Sequence, residues 1–392
     1  MLIGGVGLLL LVIGTVRAAE VGGARFDEGK LADVPKVMEG FEADQEIAGA
    51  VTLVETRERV VQLSATGKAN IGRDEAMKPD AIFWIASMTK PLTATAVMML
   101  AEEGKLSVED PVAKYVPELG ELKTPEGKAA NITLKQLLTH TSGMVLEAPT
   151  EERQKAKSLA DLMPVYARLP MRFEPGARWE YCQAGINSLG RVVEVVSGKS
   201  LPDFLHERLF TPLGMKDTTF YPTEEQVARL AMGYKRVNGK LEESPMKTMS
   251  GKPLTSHEHY PAANAGVFCT ASDYGAFCRM LLNEGSLDGR QYLKPETVRA
   301  MRTIQTGELV TGFTPGNGWG LGVCVVRQPQ GLTAMLSPGS FGHGGAWGTQ
   351  AWIDPEKGVA YILMVQRADF PNSDQSPVRK GFQQAAADAM VK

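Results

Sequence analysis

The sequence predicts an α/β (α+β) protein in which an antiparallel sheet flanked by helices is built from both ends of the chain and carries an inserted, mostly helical segment. Three observations predict it. Apolar residues follow a strand-like pattern near the N-terminus and again near the C-terminus. Between these regions they recur at helical spacing in short stretches broken by Pro or Gly. Finally, 392 residues, 43% hydrophobic and 22% charged, suffice for a sizeable core and exclude a disordered or fibrous chain.

The elements follow in order. Residues 2–16 are uninterruptedly apolar or small, a run shorter than the roughly 20 residues a spanning helix needs. With Val16-Arg17-Ala18 as an A-x-A-like cleavage site, residues 1–18 are expected to be an export signal, although no Lys or Arg precedes the apolar run. The remaining chain, 19–392, is then periplasmic or secreted, with no stable membrane span. Helical spacing covers 31–42. Residues 48–54 read as a strand, 55–59 as a hairpin turn and 60–65 as its return strand. The apolar run 81–86 leads into Ser87, and helix formers fill 92–103 after Pro91.

In the middle of the chain, residues 107–119, 133–140, 158–169, 184–197, 201–210, 270–284 and 295–302 read as short helices, with a surface hairpin over 230–242 around Asn238-Gly239. Strands are expected over 319–327, 348–353 and 359–365. The last two flank the turn cluster Asp354-Pro355-Glu356-Lys357-Gly358 and so form an antiparallel hairpin. A helix over 379–391 closes the chain. This order puts a sheet subdomain at about 30–105 and 265–392 and a helical subdomain at about 106–264, with the site expected in the cleft between them.

The chemistry starts at Ser87-Met88-Thr89-Lys90. Side chains three apart on a helix share a face, so Lys90 can lie within reach of the Ser87 hydroxyl and take its proton. A tyrosine, Tyr181, follows the turn Phe173-Glu174-Pro175-Gly176 within Trp179-Glu180-Tyr181-Cys182-Gln183. A glycine-rich strand, Gly342-His343-Gly344-Gly345-Ala346-Trp347-Gly348, lies much further on. Other chemistries lack their parts. There is no G-x-S-x-G elbow and no H-E-x-x-H helix, and His257-Glu258-His259 has no spaced third ligand, so neither metal nor cofactor is expected. A Ser-His-Asp arrangement using His140 or His343 has no supporting motif. The four cysteines are read as buried thiols, and Cys182 has no histidine near it in sequence to activate it. A net charge of −3 without a basic stripe argues against nucleic acid and for a small organic substrate.

Together with LLTHTSG at 137–143 and TPLGMKDT at 211–218, these motifs resemble the β-lactamase-related serine hydrolases, which comprise class C β-lactamases, family VIII carboxylesterases, DD-peptidases and D-aminopeptidases. The resemblance runs from about Ile47 to the C-terminus and implies the same two-part architecture. It implies that Ser87 is the nucleophile and that Lys90 and Tyr181 act as one coupled proton carrier. The N–H groups of Ala346 and Ser87 would form an oxyanion hole, worth roughly 2.7–4 kcal/mol per donor. Gly344 and Gly345 would let the strand approach substrate closely. Three positions depart from the β-lactamase and peptidase pattern. His343 stands where those enzymes usually carry a lysine, and Gly344 where they carry a hydroxyl residue. Gln183 stands where class C enzymes have the shorter Asn. A histidine only partly charged near neutral pH weakens the demand for a substrate carboxylate. The expected activity is therefore a short-chain carboxylesterase acting through an acyl-enzyme, with a β-lactamase or D-Ala-D-Ala peptidase as the alternative and an acyl-binding sensor as the non-enzyme reading. Trp179, Glu180, Trp347 and Tyr260 are candidates for shaping the acyl pocket.

Overall fold

A computed structural model describes residues 24–391; the expected export signal lies outside the described residues. The central strand is β1 (Gly49–Thr56), which is buried along its length. Its alternate residues enter different cores, Val51 and Leu53 on one face and Ala50 and Val54 on the other. One neighbour is the expected return strand β2 (Val60–Asn70), followed by the short β3 (Glu75–Ala76). The other neighbour comes from the far end of the chain. After β4 (Asn317–Trp319), β5 (Cys324–Val326), β6 (Phe341–Gly344) and β7 (Gln350–Asp354), the strand β8 (Val359–Met364) pairs with β1 from Val51↔Met364 to Thr56↔Val359. The sheet order is β4-β5-β6-β7-β8-β1-β2-β3, antiparallel throughout.

Both faces of this sheet are covered, which is why β8 reads as an unbroken apolar run. Val359, Tyr361 and Leu363 meet α1 (Asp33–Ala43) and the C-terminal helix, while Ala360, Ile362 and Met364 join the core shared with the helical part. The helical part gathers around α2 (Thr89–Glu102) and α3 (Gln183–Ser197), which pack together and whose buried residues include no charged side chain except Lys90. The helix α4 (Ala271–Leu282) packs on β1 and β8, and α5 (Pro377–Asp388) packs beside α1. Among the described residues no helix is long and apolar enough to cross a membrane.

The differences from the sequence reading have local causes. The helix expected over 107–119 is two 3₁₀ turns, Val112–Lys114 and Pro117–Glu121. Pro111 and Pro117 lack amide donors and force the residues before them out of the helical region. The strand expected over 319–327 is split into β4 and β5 by a turn in which Gly322 takes φ 80°. The expected glycine-rich strand ends at Gly344, and Gly345–Gly348 form a turn closed by Gly348 N–H donating to Gly345 O. The segment 201–210 begins as the helix Leu201–Leu205 and widens into a π-turn, His206–Phe210. The sequence reading assigned no helix to Thr150–Lys155 or to Glu224–Ala228, the second of which starts from a Thr223–Gln226 capping box. Asn238 and Gly239 both take positive φ at the hairpin tip, as an Asn-Gly turn requires.

Candidate active site

Ser87 is delivered by a short ladder, in which Phe83 and Trp84 pair with Cys269 and Phe268 and the Ile85 N–H donates to Val267 O at 3.1 Å. The chain then turns sharply. Ala86 takes φ 44°, and Ser87 sits half-buried on the 3₁₀ turn Ala86–Met88 that runs straight into α2. Pro91 falls within the first turn of α2, where its missing N–H removes no helical bond. Two hydroxyls fasten this helix to the segment 263–267. Thr89 Oγ1 accepts from Val267 N–H at 3.1 Å, and Thr93 Oγ1 donates to Ala263 O at 2.7 Å. Lys90 is thereby held beneath Ser87, 1% exposed, with Nζ 2.9 Å from Asn264 O and 3.0 Å from Ser87 Oγ.

Burial lowers the Lys90 amine to a pKa of about 7, against the opposing pull of Glu147 and Cys182. Glu147 is itself held by Tyr166, whose hydroxyl donates to Oε1 at 2.6 Å, and its carboxyl is raised by burial. Lys90 Nζ lies 4.6 Å from the centroid of the Tyr181 ring. The Tyr181 hydroxyl is raised well above the ordinary range by burial, with a hydrogen bond to Ser87 opposing. At neutral pH the phenol is therefore protonated and the amine is the group that can be without its proton.

Tyr181 owes its position to His140, which sequence reading left without a role. His140 takes φ 58°, its carbonyl accepts from Glu180 N–H at 3.0 Å, and its Nδ1 accepts from Cys182 N–H at 3.1 Å. Its ring packs 4.6 Å from Tyr181 and 5.0 Å from Trp319, centroid to centroid, and burial keeps it neutral. One histidine thus grips both sides of the tyrosine. Cys182 is no nucleophile in this setting. Its Sγ donates to Val145 O and caps α3, and burial pushes the thiol up to about 11. The four cysteines are buried and free.

The β6 end closes the site from the other side. Any side chain at Gly345 would overlap Ile85 O and Thr349 Oγ1, so a glycine there lets the turn seat directly against the segment that leads into Ser87. Any side chain at Gly344 would overlap Asp374 Oδ1 and Gln350 Nε2. His343 is 4% exposed, and burial, with the nearby Lys90 charge, lowers its ring to about 3. This corrects the expectation of a partly charged imidazole. Gln183 stands at the start of α3 with its Oε1 accepting from Asn264 Nδ2, which leaves its own amide donor toward the pocket.

These residues share one cleft. Ser87, Tyr181, Gln183, His343, Gly344, Gly345 and the exposed Ala346 line it, with Lys90 below. Its remaining wall is Phe313 and the segment carrying Ala368, Phe370, Pro371, Asn372 and Asp374, none of which forms a motif in sequence. No lysine or arginine lines it among the described residues. The four side chains expected to shape the acyl pocket stand elsewhere. Trp179 packs behind Tyr181, Glu180 pairs with Arg172, Trp347 lies on Trp84, and Tyr260 is fully buried.

A single antiparallel sheet covered by helices on both faces, with a serine over a buried lysine and facing a tyrosine, defines a hydrolase of the β-lactamase fold. The chain belongs to the Beta-lactamase family, which matches residues 34–386. It is 29% identical over 357 residues to Esterase EstB of Burkholderia gladioli, covering 83% of this chain and 87% of that one. It is 32% identical over 308 residues to Penicillin-binding protein 4 of Amycolatopsis lactamdurans, covering 76% of each. Among solved structures it is similar to EstCE1, described as a hydrolase with promiscuous acyltransferase activity. That similarity has a TM-score of 0.81 at 25% identity, over 92% of this chain and 99% of that one.

Proposed function

We propose that the protein is a short-chain carboxylesterase that works through an acyl-enzyme on Ser87. The observation that carries the mechanism is the 3.0 Å contact between Ser87 Oγ and a lysine amine that burial brings to a pKa of about 7. Neutral Lys90 takes the Ser87 proton as Oγ attacks the ester carbonyl, and Asn264 O holds the amine in place throughout. Tyr181, protonated and facing the same cleft as Ser87, passes a proton to the departing alkoxide and is replenished from Lys90. The N–H groups of Ser87 and Ala346 receive the oxyanion. Water then repeats the sequence on the acyl-enzyme.

The ester assignment is supported by the pocket's charge. β-Lactams and D-Ala-D-Ala peptides carry a carboxylate beside the scissile bond, and this cleft offers neither a lysine, an arginine nor a charged histidine to receive it. The Gln183 amide, fixed by Asn264, supports the penicillin-binding alternative, because it could meet an acylamino group. The division into subdomains near 105 and 265, with the site in the cleft between them, and export of the mature chain belong to the same proposal. The test is direct. Wild-type protein is expected to label with a fluorophosphonate and Ser87→Ala is not, and kcat/KM for p-nitrophenyl butyrate is expected to exceed that for benzylpenicillin. Full labelling of Ser87→Ala would end the mechanism; a preference for benzylpenicillin would end the ester assignment alone.

A further inference from the structure

Among the described residues Asp374 is the one carboxylate on the wall of the cleft, and the fold holds it there firmly. The hold begins with Trp352, whose indole N–H can only donate and does so to Gln350 Oε1 at 3.0 Å. That bond fixes which way the Gln350 amide faces, so its Nε2 donates to Asp374 Oδ1 at 3.1 Å. The backbone is pinned as well. Asp374 N–H donates to Asn372 Oδ1 at 3.0 Å, and Arg379 Nη1 donates to the Asp374 carbonyl at 2.7 Å while its guanidinium stacks 4.0 Å from the Trp352 ring. Arg379, the cation bonded to its backbone, is fully buried and does not line the cleft. Arg367 stacks on Phe370 and is committed to Glu46 and Asp369. The carboxylate takes up the space a side chain at 344 would need, beside a neutral His343.

We propose that Asp374 sets the charge selectivity of the cleft, disfavouring substrates with a carboxylate near the scissile ester and favouring neutral or cationic ones. The proposal rests on the esterase reading, because it concerns the alcohol or acyl groups seated against β6 during turnover. A fixed negative charge a few ångströms from a bound anion in a partly desolvated cleft acts on ground and transition states alike and so appears in kcat/KM.

The test uses three esters of similar size: p-nitrophenyl butyrate, mono-p-nitrophenyl succinate and butyrylthiocholine. Wild-type kcat/KM should be lowest for the succinate. Asp374→Asn keeps the shape and the Gln350 contact, and should raise the succinate-to-butyrate ratio about tenfold while lowering the thiocholine-to-butyrate ratio. Asp374→Glu should keep the wild-type order, and added salt should narrow the wild-type ratios. A residue serving only to brace the loop would change all three rates together and leave the ratios fixed; that result would overturn the proposal. Failure of the wild-type enzyme on every ester would instead overturn the esterase reading beneath it.

Discussion

In the mechanism proposed above the chemistry turns on Lys90, and its burial gives that mechanism a pH signature. The amine must be unprotonated to act as base, and desolvation sets its pKa at about 7 rather than in the usual lysine range. Below that pH the protonated fraction grows, so kcat/KM should fall about tenfold per pH unit on the acid side and level off above about pH 8. A profile on p-nitrophenyl butyrate from pH 5 to 9, corrected for spontaneous hydrolysis, checks this. An acid limb near pH 4–5 would point to a carboxylate base and remove Lys90 from that role. Ser87 and Lys90 were legible in sequence because one helical turn relates them. Tyr181 was legible only through the resemblance. His140 was not, since its work is done by a backbone carbonyl that holds the Glu180 amide and a ring nitrogen that holds the Cys182 amide, the latter 42 residues downstream. Phe313 reaches the cleft from an irregular segment and Asp374 from a single 3₁₀ turn, Ser373–Gln375, and neither offers a period to read.

At the scale of elements, period and turn chemistry located most of the sheet. β1, β2, β7 and β8 fall where alternation and Gly/Pro clusters put them, because strands in the middle of a sheet cannot exchange faces without burying the wrong side. The failures concern breaks. The apolar run 319–327 looks continuous, yet Gly322 bends it so that its N–H donates to Leu138 O at 3.0 Å, which ties the β4–β5 turn to the helical part. Tertiary contact decided that bend, and a local pattern does not encode it. The same contact makes the glycine hard to replace. Its φ of 80° disfavours any other residue, and a Cβ would overlap the Ala94 methyl on α2, the helix that carries Lys90. Gly322→Ala should therefore lower stability by roughly 2–5 kcal/mol, the sum of left-handed strain and overpacking. Denaturant midpoints with an unchanged slope would measure it. A change below about 0.5 kcal/mol would mean that the turn and α2 move apart freely.

For the whole molecule, the decisive fact is that the sheet's centre is where the two ends of the chain meet. β1 finds one partner within a few residues and the other, β8, about 300 residues later, so the sheet is incomplete until most of the chain is in place. That both ends contribute strands was readable from composition and period; which strand lies beside which was not, because pairing order depends on the whole set of faces to be covered. The terminal helix seals the result. Val378, Phe382 and Ala386 of α5 are buried against Trp352 and Tyr361 of the sheet and Val34 and Met38 of α1. Arg379, also fully buried, ties α5 to the loop that carries Asp374. Removing residues 376–392 strips these side chains and uncovers the face they protect. At about 1.5–3 kcal/mol for each large apolar group, the loss reaches a large part of the 5–15 kcal/mol that holds an ordinary domain together. The truncated chain is expected to lose its cooperative thermal transition, to bind a dye that reports exposed apolar surface, and to have no esterase activity. Calorimetry and circular dichroism beside the full chain test this. A truncated protein that still unfolds cooperatively within a few degrees of the full chain would mean that α5 is an accessory to the sheet rather than its cover.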